Sequence, residues 1–197
     1  DYDDRGLSLS DKDPSAIAGV EAVRGTLSRP GGEWFFGGLA GRVDTPADSD
    51  VQVTGYGGWA RRLGGAYDVS LTVYGDTFHG AGSQTFVEGR AAVARDFGLF
   101  YVRGGVGVAP DGRWSDRNRT VVYPFVEAQV PVPRLPWLTV TANLGYSAVS
   151  QRRDRADWSA GLAAGRGDFE FTLRYVDSES RRRIGDARAV AMLRYYF

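Results

Sequence analysis

His79 is the lone histidine of this 197-residue chain, and any hydrolytic chemistry would have to run through it. It lies in the run Gly75-Asp76-Thr77-Phe78-His79-Gly80-Ala81-Gly82-Ser83. A serine nucleophile needs an imidazole base, and the base needs a carboxylate or amide to orient it. Asp76 and Ser83 supply those types nearby, but the surrounding glycines describe a mobile external loop tip rather than a rigid triad. The expectation is a chain without catalytic residues. Cysteine is absent, and no carboxylate group has transition-metal spacing. Asp11, Asp13, Asp44, Asp48 and Asp50 are hard oxygen ligands of the kind calcium prefers, yet solvated turns account for them. Gly55-Tyr56-Gly57-Gly58 has no helix after it, so it is no phosphate loop. Neither a metal nor a cofactor is expected.

The remaining chemistry is charge. Formal net charge is zero, which speaks against a nucleic-acid partner. Lys12 is the only lysine, and every other base is arginine. Three arginine groups fall in the later connections: Arg113, Arg117 and Arg119, then Arg152, Arg153 and Arg155, then Arg181, Arg182 and Arg183. On an external rim they would grip lipopolysaccharide phosphates or draw anionic solutes to a mouth. A second set recurs at every other position: Asp68, Glu88, Arg90, Arg103, Glu127, Gln129, Glu170, Arg174, Arg188 and Arg194. These alternate with apolar residues, so a strand would place them on one face as ladders of opposite charge. Hairpin pairing puts Glu170 close to Arg194, and Glu88 diagonal to Arg103.

That alternation defines the elements. From Asp168 to Asp177, Phe169, Phe171, Leu173 and Tyr175 oppose Glu170, Thr172, Arg174 and Val176. From Leu138 to Ala148, Leu138, Val140, Ala142, Leu144 and Tyr146 oppose Thr139, Thr141, Asn143 and Gly145. Tyr67, Val69, Leu71 and Val73 oppose Asp68, Ser70, Thr72 and Tyr74. A period of two is a strand period, and no run approaches the roughly 20 apolar residues of a spanning helix. Twelve such segments fall at 1–9, 16–27, 33–42, 51–61, 66–75, 84–95, 98–108, 119–131, 137–148, 157–165, 168–177 and 186–197. Around Trp34, Phe35, Phe36 and Leu39 both parities are apolar, which leaves that register open; losing one hairpin would give ten strands. Short connections alternate with longer polar ones centred on Lys12, Pro46, Phe78, Trp114, Arg153 and Arg182.

An apolar face about ten residues long, with a polar face behind it, is how a transmembrane β-barrel strand reads. The ending Ala189-Val190-Ala191-Met192-Leu193-Arg194-Tyr195-Tyr196-Phe197 keeps this period to an aromatic terminus. It resembles the signal by which outer-membrane proteins are handed to their barrel-assembly machinery, with Tyr195 and Phe197 carrying it. The expected fold is all-β: one antiparallel transmembrane barrel over residues 1–197, twelve-stranded, both termini periplasmic, in the bacterial outer membrane. The start at Asp1 fits a removed leader. With no connection long enough to fold inward, and no segment before the first strand to serve as a plug, the inward side chains alone decide conduction.

Asp4-Arg5-Gly6-Leu7-Ser8-Leu9-Ser10-Asp11, followed by Asp13-Pro14, resembles the opening of the TorF family of porin-like proteins. Gly185-Asp186-Ala187-Arg188-Ala189-Val190 and the aromatic end resemble that family's last strand. At Asp1 to Arg5 acids replace the family's phenylalanine-rich spelling. The resemblance implies an outer-membrane barrel with no catalytic motif and no defined substrate. The leading expectation is a narrow channel for small polar solutes, selective through the arginine and carboxylate ladders. A closed structural barrel that binds lipopolysaccharide or a partner protein through its loops is the alternative, and a lipid-modifying enzyme is third.

Overall fold

A computed structural model describes residues 3–45, 48–80, 83–114, 116–181 and 183–197. Thirteen strands follow in chain order: β1 (Asp3–Asp4), β2 (Leu7–Ser8), β3 (Ile17–Gly25), β4 (Glu33–Arg42), β5 (Ser49–Leu63), β6 (Tyr67–Gly80), β7 (Gln84–Asp96), β8 (Tyr101–Ala109), β9 (Val121–Val132), β10 (Leu135–Val149), β11 (Arg155–Arg166), β12 (Phe169–Ser178) and β13 (Arg188–Tyr195). β3 to β13 form one 11-stranded sheet in which each strand pairs antiparallel with its neighbours in sequence. β1 and β2 pair only with each other.

The expected alternation decides which face is which. In β12, Phe169, Phe171, Leu173 and Tyr175 are exposed, while Thr172 and Val176 are buried. In β6, Leu71 and Val73 are exposed, with Thr72, Asp76 and Phe78 buried behind them. The apolar parity therefore faces outward and the polar parity inward, the inverse of a soluble barrel. The open register of β4 resolves the same way: Trp34 and Phe36 point out, with Phe35 between them and Gly37 after them less exposed.

The connections β5–β6, β7–β8, β9–β10 and β11–β12 at one end of the sheet, the turn end, are short, and the longest, β8–β9 and β12–β13, lie at the other, the loop end. At the turn end, Gly64 and Gly65 join β5 to β6 with φ of 58° and 71°, the pair of positive values that a tight type I′ hairpin needs. Exposed Trp34, Tyr67, Phe97, Trp137, Phe169 and Tyr195 ring this end. Exposed Tyr146, Trp158 and Tyr175 stand nearer the loop end, and exposed aliphatics such as Val20, Leu71, Val140, Leu144 and Leu162 fill the band between. An apolar belt between two aromatic girdles is the surface that a bilayer matches.

Twelve strands were expected, and the sheet contains eleven. Residues 3–9 do not form a wall strand, because Asp3 and Arg5 on one parity and Asp4 on the other leave neither face fit for lipid. Asp1 and Tyr2 lie outside the described residues. β3 consequently starts at the loop end, where Ile17 pairs with Gly41, and β13 finishes at the turn end. The sheet therefore begins and ends at opposite sides, where an even number of wall strands would begin and end at the same one. β3 and β13 run in the same direction, and no ladder joins them among the described residues.

Candidate functional site

The amino-terminal segment folds back into the lumen. β1 and β2 make a minimal hairpin with Arg5 and Gly6 at its tip, at φ of 50° and 73°. The tip wedges against the inner wall: a Cβ on Gly6 would stand 2.8 Å from Ser178 Cβ and 2.9 Å from Asp157 Cβ. Leu7 and Leu9 then pack with Val43, Phe78, Phe86, Trp114 and Ile184, an apolar seal beneath the loops. Sequence reasoning expected no plug, on the ground that nothing precedes the first strand; the segment expected to be that strand lies instead against the inward face of the sheet.

Ion pairs hold the hairpin in place. Glu88 of β7, only 2% exposed, accepts from Arg5 at 2.5 Å, Arg113 at 2.6 Å and Arg90 at 2.8 Å. Asp4 accepts from Arg113 and from the Trp114 indole nitrogen, each at 2.9 Å. Asp76 accepts from Gln52 at 2.9 Å and Thr54 at 2.6 Å, and its second oxygen lies 3.9 Å from Arg113. Three guanidiniums thus face three carboxylates in a nearly dry space. Burial pushes the Asp4 carboxyl upward, but Arg113 and Arg5 more than reverse this and hold it well below the usual range. Burial, with Arg113 close by, lowers Arg5 to about 10 against the pull of Asp4 and Glu88, so it stays charged at neutral pH. Arg113 is lowered by burial and raised further by Asp4, Glu88 and Asp76, ending above its ordinary value. Asp3 and the Gly6 carbonyl complete the seat, accepting from Arg174 at 2.8 Å and Arg188 at 3.1 Å.

Beside the hairpin tip lies a cavity of about 190 Å³, lined by Asp3, Arg5, Arg90, Tyr123, Asn143 and Asp157 among others. Tyr123 organises it. Its hydroxyl donates to Asp157 Oδ1 at 2.9 Å, and the Arg5 guanidinium lies over its ring at 3.8 Å. Gly145 makes this possible, because a Cβ there would collide with the Tyr123 ring and hydroxyl.

Towards the turn end stand further inward charge pairs. Arg103 pairs with Glu127 at 3.3 Å, Arg194 with Glu170 at 3.0 Å and Arg62 with Asp68 at 2.7 Å. These side chains are part-exposed, unlike the Glu88 group. Glu170 and Arg194 stand directly opposite in the β12–β13 register. Arg103 takes Glu127 rather than the expected Glu88, which Arg5 and Arg113 occupy.

The rim differs from expectation. Arg113, grouped by sequence with the outer arginines, is turned inward. Arg152 and Arg155 share Asp116, Arg183 pairs with Asp11, and Arg119 donates to the Ser150 and Gln151 carbonyls. Arg117, Arg153 and Arg181 are exposed, and Arg182 lies outside the described residues. His79 is exposed on β6 rather than at a loop tip, on the face opposite buried Asp76, so the two cannot share a triad. Ala81 and Gly82 of that run are also outside the described residues. No group of three acids or histidines able to hold a metal occurs among the described residues.

Asp4, Arg5, Arg113, Asp76, Tyr123 and Asp157 were missed as site residues. Parity alone flags Asp76, Tyr123 and Asp157 as inward, but nothing local brings the first hairpin to them.

A search of curated proteins finds no match. Among solved structures, the chain is similar to the β domain of the Bordetella autotransporter BrkA, at 20% identity and a TM-score of 0.47, covering 97% of this chain and 95% of that one. A family model described as a bacterial protein of unknown function matches residues 1–194. The chain therefore belongs to the Gcw_chp family.

Proposed function

We propose that this protein is a bacterial outer-membrane barrel that works as a narrow channel for small polar solutes, held shut at rest by its own amino-terminal hairpin. The observation that carries the reading is the contrast within one lumen. The turn half is lined by part-exposed charge pairs, the loop half by a buried stopper seated on Glu88. The exposed apolar belt with its two aromatic girdles supports the membrane setting. The likeness of both chain ends to the TorF family points the same way. Charge pairs of both signs along the open half suit solutes that carry polar groups, with Arg103, Glu127, Glu170 and Arg194 setting selectivity. Arg153 and Arg181 remain available to lipopolysaccharide phosphates outside.

Planar-bilayer recording tests this. The intact protein should show little conductance, and removal of residues 3–12 should give discrete single-channel steps. If the shortened barrel inserts and remains silent, the protein is a closed structural barrel, the second reading. Buried ion pairs that fix one arrangement would favour that outcome as well.

A further inference from the structure

Arginines of the inner wall are matched with acids, but four on the outward face are not. Arg24, Arg61, Arg95 and Arg166 share the outward parity, since their cross-strand neighbours are Trp34, Val69, Tyr67 and Phe169. Each lies within two residues of the turn-end terminus of its strand. None of the four has an ion pair among the described residues. The acids at this end of the strands, Glu33, Asp68, Asp96 and Glu170, belong to the inward parity. An arginine on a lipid-facing surface is costly at mid-depth and tolerated at the interface, where its stem lies along apolar surface and its guanidinium reaches the headgroups.

Arg61 and Arg95 come together around Tyr67. Arg61 stands opposite Val69 from β5 and Arg95 opposite Tyr67 from β7, so the two flank β6 on one face. Two strand spacings of about 4.8 Å and two residues of about 3.4 Å set their Cα atoms roughly 12 Å apart. Two extended arginine side chains can close that gap onto one anion. Arg95 lies over the Tyr67 and Phe97 rings at 4.8 and 4.7 Å, and its Nη1 donates to the Tyr67 hydroxyl at 2.6 Å. Tyr67 is 45% exposed. Its hydroxyl accepts from Arg95 and keeps its own proton for a further acceptor, which no described residue supplies.

We propose that Arg61, Arg95 and Tyr67 form a binding site for the headgroup phosphate of an anionic glycerophospholipid, with Arg24 and Arg166 touching the same leaflet elsewhere around the sheet. Guanidinium forks match phosphate oxygens in pairs, and the Tyr67 proton supplies one more donor. Exposed Leu71, Val73 and Val93 continue the same face toward mid-depth and give the acyl chains an apolar wall, which a free phosphate would not use. A headgroup amine would meet no strand carboxylate on this face, so the charge balance selects a lipid of net negative charge. The short turns of outer-membrane barrels face the periplasm, the phospholipid side of that membrane. The site fixes the depth of the barrel at the end opposite the arginine-bearing loops. It rests on the membrane setting proposed above and is independent of conduction.

Native mass spectrometry of the full chain, released from micelles that contain equal amounts of phosphatidylglycerol and phosphatidylcholine, tests this. The protein should retain phosphatidylglycerol in preference by about tenfold. Arg61→Gln combined with Arg95→Gln should bring the two lipids close to parity. Tyr67→Phe, which keeps the ring and loses the hydroxyl, should lower the preference as well. Arg153→Gln combined with Arg181→Gln, at the loop end, should leave it unchanged. Equal retention of the two lipids by the unaltered protein, or an undiminished preference after both turn-end arginines are replaced, overturns the inference. Displacement of the bound lipid by inorganic phosphate marks a site for free anions and overturns it too. Leu71→Arg reports the bilayer setting by itself. A costly Leu71→Arg with equal lipid retention removes the site and keeps the membrane barrel, whereas a neutral one removes both.

Discussion

Arg5 and Glu88 meet at 2.5 Å across eighty-three residues of chain, and their contact joins the stopper to the wall. Glu88 is the hub, because Arg90 and Arg113 also converge on it. Glu88→Gln would leave three guanidiniums with too little compensating charge in a dry space. The expected loss is about 3–5 kcal/mol, the scale for breaking a buried pair from one side. Thermal unfolding in detergent measures it, and Glu88→Gln with Arg113→Gln should recover part of the loss.

Acid should release the hairpin. Asp4 titrates below its unfolded value of about 3.9, so its contribution to stability is complete above that pH. The contribution is lost as pH falls through the lower, folded value. Trp114 donates to Asp4 and reports the change, read as the fluorescence difference between the protein and its Trp114→Phe variant. The signal should hold steady from neutral pH down to about 4 and change below it. Asp4→Asn should show the released signal already at neutral pH.

Leu71, 58% exposed in the middle of β6, tests the bilayer setting. Leu71→Arg should cost about 2–4 kcal/mol if this face meets lipid at mid-depth. On a water-facing surface the same change would be nearly neutral. Refolding into lipid vesicles, followed by denaturant titration, separates the two.

Gly145→Ala should displace Tyr123, because the added methyl occupies the space of its ring and hydroxyl. Overpacking of this kind costs about 1–3 kcal/mol. The hydrogen bond from Tyr123 to Asp157 should be lost with it, so the unfolding temperature should fall. Gly165→Ala, where a Cβ would meet nothing, is the matched control.

What the sequence discloses is what repeats along it. The parity of β6, β10, β12 and β13 is visible because each strand has one lipid-suited face, and the Glu170–Arg194 pairing follows once the last hairpin is drawn. Arg113 is illegible for the opposite reason: in a loop among other arginines, its type and neighbours are those of a solvated rim. Only the distant carboxylates of Asp4 and Glu88 turn it inward. Residues 3–9 mislead similarly, since their alternation hides the turn at Arg5 and Gly6 and says nothing about which side of the wall they occupy. The acids at Asp3 and Asp4 are the one local sign that they cannot face lipid.

The stopper's contacts span almost the whole chain: Asp3 with Arg174 is 171 residues apart, and Gly6 with Arg188 is 182. Contacts of such separation form last, after the loop-closure entropy of everything between them has been met. The first residues synthesised therefore find their seat only when β12 and β13 are in place. Seating the hairpin and completing the last two strands thus become one event, and a chain stopped short of β12 would lack the Arg174 and Arg188 donors that hold Asp3 and Gly6.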